Sequence, residues 1–241
     1  MMARMFGRRL SSGALALALL AGGALLLSAA GVWLGLWTFR TGFTVLRYGA
    51  WVALASLVLG LLALAFGPGR GRALVAILIA AIGVWLPWSW QTQARSVPPI
   101  HDISTDLDDP PAFVAVAPLR ADAPNPVAYA GAETASLQRQ AYPDIQTRRL
   151  ELPAAEAFAA AEEAARDLGW TIVAAVPGEG RLEASDTTFW FRFTDDIVVR
   201  VRPEGSGSRV DVRSKSRVGR SDVGTNAARI RRFLSRLPDS P

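Results

Sequence analysis

Seven cationic side chains crowd the stretch from residue 213 to 232: Arg213, Lys215, Arg217, Arg220, Arg229, Arg231 and Arg232 surround one Asp222 and one Asn226. Backbone amides at a helix start, with arginines nearby, hold phosphates and carboxylates well. An anion or lipid-headgroup site built from Arg213, Lys215, Arg217, Asp222, Asn226 and Arg229 is therefore one reading. The other is structural. Asp222 caps the helix and fills the position that a ligand anion would want. Asn226 and Arg229 then tie the turn to the acidic stretch "HDISTDLDD" of residues 101–109, an internal clamp between a basic and an acidic block. The filled cap favours the clamp.

A second group of chemical interest is that acidic stretch itself: His101, Asp102, Ser104, Thr105, Asp106, Asp108 and Asp109. Its oxygens suit a hard cation. The spacing matches no calcium loop, since it lacks the turn glycine and the acidic residue at the twelfth position. Ser104, Thr105 and Asp106 more simply cap a turn. A Ser-His-Asp hydrolase would have to use the chain's only histidine, His101, and no G-x-S-x-G is present. Paired carboxylates of glycosidase type are not singled out by anything in the sequence. A third group is Trp190 with Arg192 and Arg200, which can stack on a ring or receive a lipid phosphate. Alternation alone also produces such a row on a solvated sheet face. No Cys is present, so disulfides, thiolate metal sites and thiol nucleophiles are excluded. No cofactor or metal is expected.

What positions these residues begins with an uneven charge distribution. Residues 1–90 contain no Asp, Glu or Lys, and their only charges are seven Arg. The high isoelectric point thus belongs to the apolar half and is no sign of nucleic-acid binding. Residues 91–196 hold 8 basic and 17 acidic groups, and residues 197–241 hold 11 and 4. Opposite blocks in one domain complement each other.

Three uncharged apolar runs, 12–37, 48–66 and 73–90, are each about long enough to cross the roughly 30 Å of bilayer hydrocarbon. Small residues in the first (Gly22, Gly23, Ala29, Ala30, Gly31, Gly35) suggest close helix packing. Its length favours a retained helix over a cleaved signal peptide. Arg4, Arg8, Arg9, Arg70 and Arg72 against Arg40, Arg47 and Arg95 put the amino end in the cytoplasm and the C-terminal part outside it. Six of the eight Trp (Trp33, Trp37, Trp51, Trp85, Trp88, Trp90) fall where three antiparallel crossings would share one interface. No Asp, Glu, Lys or His lies inside a run, so a proton or ion pathway has no residues to use.

The rest divides into a Pro-rich linker and docking segment, 93–144, and a soluble domain, 145–241. "IQTRRLEL" reads as a strand and "PAAEAFAAAEEAARDLG" as a helix beginning at Pro153 and stopped by Gly169. "WTIVAAVP" and "RLEASDTT" flank a "GEG" turn. Alternation then predicts strands over 189–193, 197–202 and 209–213, with Thr194-Asp195-Asp196 as a loop. This register sets Phe191 opposite Val199, Val199 opposite Val212, Val201 opposite Val210, and Trp190 and Asp211 on either side of Arg200. A last helix after "SDVGTN" carries Val223, Ala227, Ile230, Leu234 and Leu237 on one stripe, with Arg229, Arg232 and Arg236 on a charged face. The fold class is α+β: three transmembrane helices, then a twisted antiparallel sheet covered by two α-helices.

The segments "HDISTDLDDPPAF", "YPDIQ", "TDDIVVRVRP" and "SRVGRSDVGTNAARIRRF" resemble the bacterial domain-of-unknown-function family 1499 over roughly residues 95 to 237. The resemblance implies a membrane-attached or exported domain and supplies no catalytic residues. The expectation is a multi-pass protein of the bacterial inner membrane with its C-terminal domain in the periplasm. That domain acts as a non-enzymatic binding or scaffolding module. The alternative is a lipid- or anion-binding envelope domain, and a hydrolase is a third reading. The expected partners are the bilayer, and anionic lipid or another envelope protein.

Overall fold

The computed structural model describes residues 2–66 and 68–238. The chain forms two compact units, Met1–Gln93 with Phe189–Arg192, and Ala94–Thr188 with Phe193–Pro241.

The first unit is built on α1 (Met2–Trp33), α2 (Phe39–Phe66) and α3 (Arg70–Ser96), each long and apolar enough to cross a membrane. The helices extend into the polar flanks, except that α1 ends at Trp33, short of the expected 37. Their packing is inverted relative to a water-soluble bundle. Ala14, Ala18, Ala21, Ala53, Ala73, Ala76 and Ala80 are buried, while Leu26, Leu34, Leu61 and Leu78 point outward and are exposed. Small side chains let backbones approach, and hydrocarbon is a good solvent for the leucines. A Cβ on Gly83 would lie 2.9 Å from that of Ala53. The buried Ser56 hydroxyl donates to the Ala14 carbonyl at 2.8 Å, satisfying a polar group where no water reaches. Of the small residues expected to pack closely, Gly22 abuts Ile79 and Gly31 the Trp37 ring, whereas Gly23 and Gly35 face open space.

In the second unit, β1 (Asp102–Ser104), β2 (Arg148–Leu150), β3 (Thr171–Val176), β4 (Arg181–Thr187), β5 (Thr194–Glu204) and β6 (Gly207–Ser216) form one open antiparallel sheet. Its order is β1-β6-β5-β4-β3, and β2 also pairs with β6. β1 meets residues 213–215 and β2 meets residues 208–210, so two short segments line one edge of β6 in tandem. Three helices accompany the sheet: α4 (Ala132–Ala141), α5 (Ala154–Asp167) and α6 (Thr225–Leu234). The segment 93–144 contributes β1 and α4 as well as irregular chain.

α5 follows Pro153, which stands just outside it as the cap, and gives way at Gly169, whose φ is 77°. Phe158, Ala161 and Ala165 of α5 and Ala227, Ile230 and Phe233 of α6 cover one sheet face. From the sheet come Leu182, Ala184, Ile197, Val199, Val201, Val210 and Val212. Trp170 stacks on Phe233 with ring centroids 5.2 Å apart. The fold is α+β.

Pairing between β5 and β6 has the expected register: Val199 opposite Val212, Val201 opposite Val210 and Arg200 opposite Asp211. The strand before them does not. Residues 189–193 are a loop, Thr194, Asp195 and Asp196 open β5, and the partner of Val199 is Leu182 of β4. Phe191 packs at 4.4 Å from Phe43 and Trp190 at 5.3 Å from Trp90. Trp190 Nε1 donates to Ser28 Oγ at 3.2 Å and Trp33 Nε1 to the Phe189 carbonyl at 2.7 Å. The aromatic alternation therefore serves the helical unit. Val223 is also displaced: at φ 56° it belongs to the turn, and α6 begins at Thr225.

Candidate functional site

The sheet face opposite the apolar core carries the chemistry. Alternation along β6 puts Arg209, Asp211, Arg213 and Lys215 there, and β5 adds Asp196, Arg200 and Arg202. This face is not solvated, contrary to the simpler expectation from alternation. Asp196, Asp211, Arg213 and Lys215 are all buried, because irregular chain between β1 and α4 lies over them. Phe113, Val116 and Val198 form a small second core within that cover.

The charges are matched in three clusters. In the first, Arg213 reaches Asp102 through two hydrogen bonds of 2.8 and 2.9 Å, and Lys215 Nζ lies 3.0 Å from the same carboxylate. Arg213 also donates to the carbonyls of Pro111 and Val127, and Lys215 to that of Ala128. Its guanidinium stacks on the rings of Phe113 and Tyr129 at 4.8 and 5.3 Å. Burial pushes the Lys215 ammonium below its ordinary range, against the pull of Asp102. In the second, Asp196 takes 2.8 and 2.9 Å bonds from Arg217, with Arg120 3.2 Å away. Beside it, the buried Glu183 accepts the backbone amides of Val114, Ala115 and Val116 and pairs with Arg181. In the third, Arg200, Arg202 and Arg209 share Asp106, Asp109 and Asp211 at 2.9 to 3.6 Å. Burial works to raise the Asp211 carboxyl, yet hydrogen bonds from Thr147, Arg200 and Arg209 hold it below the usual range.

The turn before α6 uses the other face. Asp222 accepts the amides of Gly224 at 2.8 Å and Asn226 at 2.9 Å. Burial outweighs those bonds and pushes its carboxyl up to about 6. Asn226 holds Ser214, Ser216 and the His101 carbonyl. Arg229 is buried, not part of a solvated helix face, and its partners are Asp186 and Asp195, each at 2.8 Å. It was expected to reach the 101–109 segment; the inward turn of α6 aims it at β4 and β5 instead. Burial raises the Asp195 carboxyl, with Arg229 opposing. Trp190 and Arg192 share no face with Arg200, because they sit in the loop of the helical unit.

Ser104 Oγ donates to the Asp106 carbonyl, Ser104 N–H to Gln138 of α4, and Thr105 Oγ1 accepts the Val212 amide. His101 Nδ1 faces the Arg220 carbonyl at 3.3 Å, and burial lowers the ring's pKa. It has no serine partner among the bonds of the described residues. No group of three or more His, Asp or Glu is placed to hold a metal among the described residues.

A cleft of about 820 Å³ lies beside the third cluster. Asp106, Asp108, Tyr142, Gln146, Arg149 and Arg202 are among the residues lining it. The Tyr142 hydroxyl is buried and makes no hydrogen bond. Composition alone gave no sign of this cleft. Much of its wall comes from stretches without periodicity, 105–109 and 142–149, with Arg139 of α4, Arg202 of β5 and Arg209 of β6 completing it. Such walls can hydrogen-bond a polar ligand, and they include Thr147, whose hydroxyl donates to the Asp211 carboxylate at 2.5 Å.

The family model for "Protein of unknown function (DUF1499)" matches residues 102–237. No curated protein and no solved structure matches the chain.

Proposed function

The chain belongs to the DUF1499 family of proteins of unknown function, and from that premise we propose an integral protein of the bacterial inner membrane that presents a non-enzymatic binding or scaffolding domain to the periplasm. Three helices long and apolar enough to span support the membrane part. The excess of arginine at the amino end and in the first turn of α3 supports the orientation. The observation that carries the binding reading is how the basic residues of the sheet are used. Arg200, Arg202, Arg209, Arg213, Lys215 and Arg217 each face a carboxylate within 4 Å. Cations paired in this way support a structural use of the basic block, and the polar cleft beside them supports recognition of a ligand.

Reporter fusions at the C-terminus and at residue 70 test the orientation, and the expected result is opposite compartments for the two. The purified full chain in detergent is expected to leave generic ester, phosphoester and glycoside substrates untouched. Turnover of any of them at a rate abolished by a cleft substitution such as Asp106→Asn overturns the non-enzymatic reading.

A further inference from the structure

The helical unit contains a wholly apolar groove of about 420 Å³, lined by Leu26, Ala29, Trp33 and Leu34 along the end of α1 and by Phe189 and Trp190. Leu26, Leu34 and Phe189 are exposed, so the groove opens outward from the bundle. Arg192 sits beside it. Its guanidinium lies 5.2 Å from the Trp33 ring centroid. It is exposed and held at φ 54°, an uncommon backbone conformation for a residue other than glycine. Neither residues 1–93 nor 189–192 contain an Asp or Glu. No carboxylate of the unit can therefore neutralise this arginine.

A groove of this kind beside a tryptophan cluster and a cation matches an acyl chain below and a phosphate above. We propose that it holds one chain of an anionic glycerophospholipid, with the headgroup phosphate on Arg192. The proposal rests on the membrane-spanning reading of α1 to α3 and goes beyond it by naming a bound lipid. A bilayer source fits better than a free anion, because a soluble phosphate would leave the groove empty. Trp33 fixes both parts, stacking under the guanidinium while its indole N–H holds the Phe189 carbonyl.

The test is native mass spectrometry of the full chain, released from nanodiscs of phosphatidylglycerol and phosphatidylcholine with identical acyl chains. The expected result is one retained lipid, with phosphatidylglycerol favoured about fivefold, the effect of one basic residue near an anionic surface. Arg192→Ala is expected to erase the preference while leaving some phosphatidylcholine retained. Phe189→Ala is expected to reduce retention of both. Arg47→Ala, near the start of α2, serves as the control cation and is expected to change neither. The proposal is overturned if Arg192→Ala keeps the preference or if Arg47→Ala removes it equally, which marks diffuse attraction. Equal retention with and without Phe189, or a second copy of the chain in place of the lipid, also overturns it. Failure of the spanning reading shows separately, as fusions at residue 70 and the C-terminus reporting the same compartment.

Discussion

Replacing Asp102 by Asn removes one negative charge and almost no volume. It leaves Arg213 and Lys215, 3% and 1% exposed, facing each other without a counterion. Breaking a buried pair by removing one partner costs about 3–5 kcal/mol. Two cations depend on this single carboxylate, so the upper half of that range is expected. Lys215→Met behaves differently. The ammonium is already disfavoured by burial, and Asp102 keeps both bonds from Arg213. Its cost is expected to stay below about 1 kcal/mol, in line with replacing a buried charge by an apolar group of similar volume. The double variant should then be more stable than Asp102→Asn alone, a coupling of about 1–3 kcal/mol. The assay is hydrogen exchange of β6 peptides by mass spectrometry on the full chain in detergent. A 3 kcal/mol loss speeds exchange about 150-fold where opening limits it. The reasoning is refuted if Asp102→Asn leaves β6 protection within a factor of two, or if Lys215→Met costs more than Asp102→Asn.

Three further outcomes follow from the geometry. Asp222, at about 6 in the fold against an ordinary 3.8, binds its proton more tightly folded than unfolded. Its contribution is therefore complete below pH 4 and is lost as pH rises through about 6, by up to about 3 kcal/mol. Asp195 is raised too and acts in the same direction. Asp222→Asn, which keeps a capping side chain, should flatten part of that decline in urea midpoints measured from pH 4 to 7. Phe233→Ala empties a fully buried site stacked on Trp170. It should cost about 3–5 kcal/mol, read as lost protection in both α6 and β5. Gly180 has φ 60°, and a Cβ there would collide with the Val201 carbonyl oxygen. Gly180→Ala should cost about 1–2 kcal/mol from the left-handed backbone alone, with exchange rising first at the β4–β5 pairing.

How far the sequence spoke differs between elements for physical reasons. Val199, Val201, Val210 and Val212 announced their shared face because a one-residue slip would have exposed them all. Three uncharged runs announced three helices because nothing else tolerates hydrocarbon. β4 was harder. Its inward residues are only Leu182 and Ala184, and the Glu183 between them is buried against amides of residues 114–116, which looks like a solvent-facing position in any pattern. Asp195 and Asp196 read as a turn, since adjacent aspartates rarely enter a sheet interior. Here Arg229 meets one on one face and Arg217 meets the other on the opposite face. Those partners are 34 and 21 residues away, beyond any local signal. Phe189, Phe191 and Phe193 alternate with Trp190 and Arg192 like a strand, yet Phe191 and Trp190 pack in a loop against Phe43 and Trp90 of the helices. The burial of Arg213 and Lys215 was invisible for a related reason: the chain covering them, 105–131, has no period of its own.

The tandem seating of β1 and β2 on β6 has a consequence for biosynthesis. Residues 102–104 and 148–150 find their strand partners only at 213–215 and 208–210, so both must wait, unpaired, until most of the domain has left the ribosome. The waiting segments carry Asp102 and Ile103, each useless alone, and closure across such long sequence separations is slow. A ribosome that stalls before residue 207 would release a chain that has every helix but α6 and no edge to stitch them to, an immediate substrate for quality-control proteases.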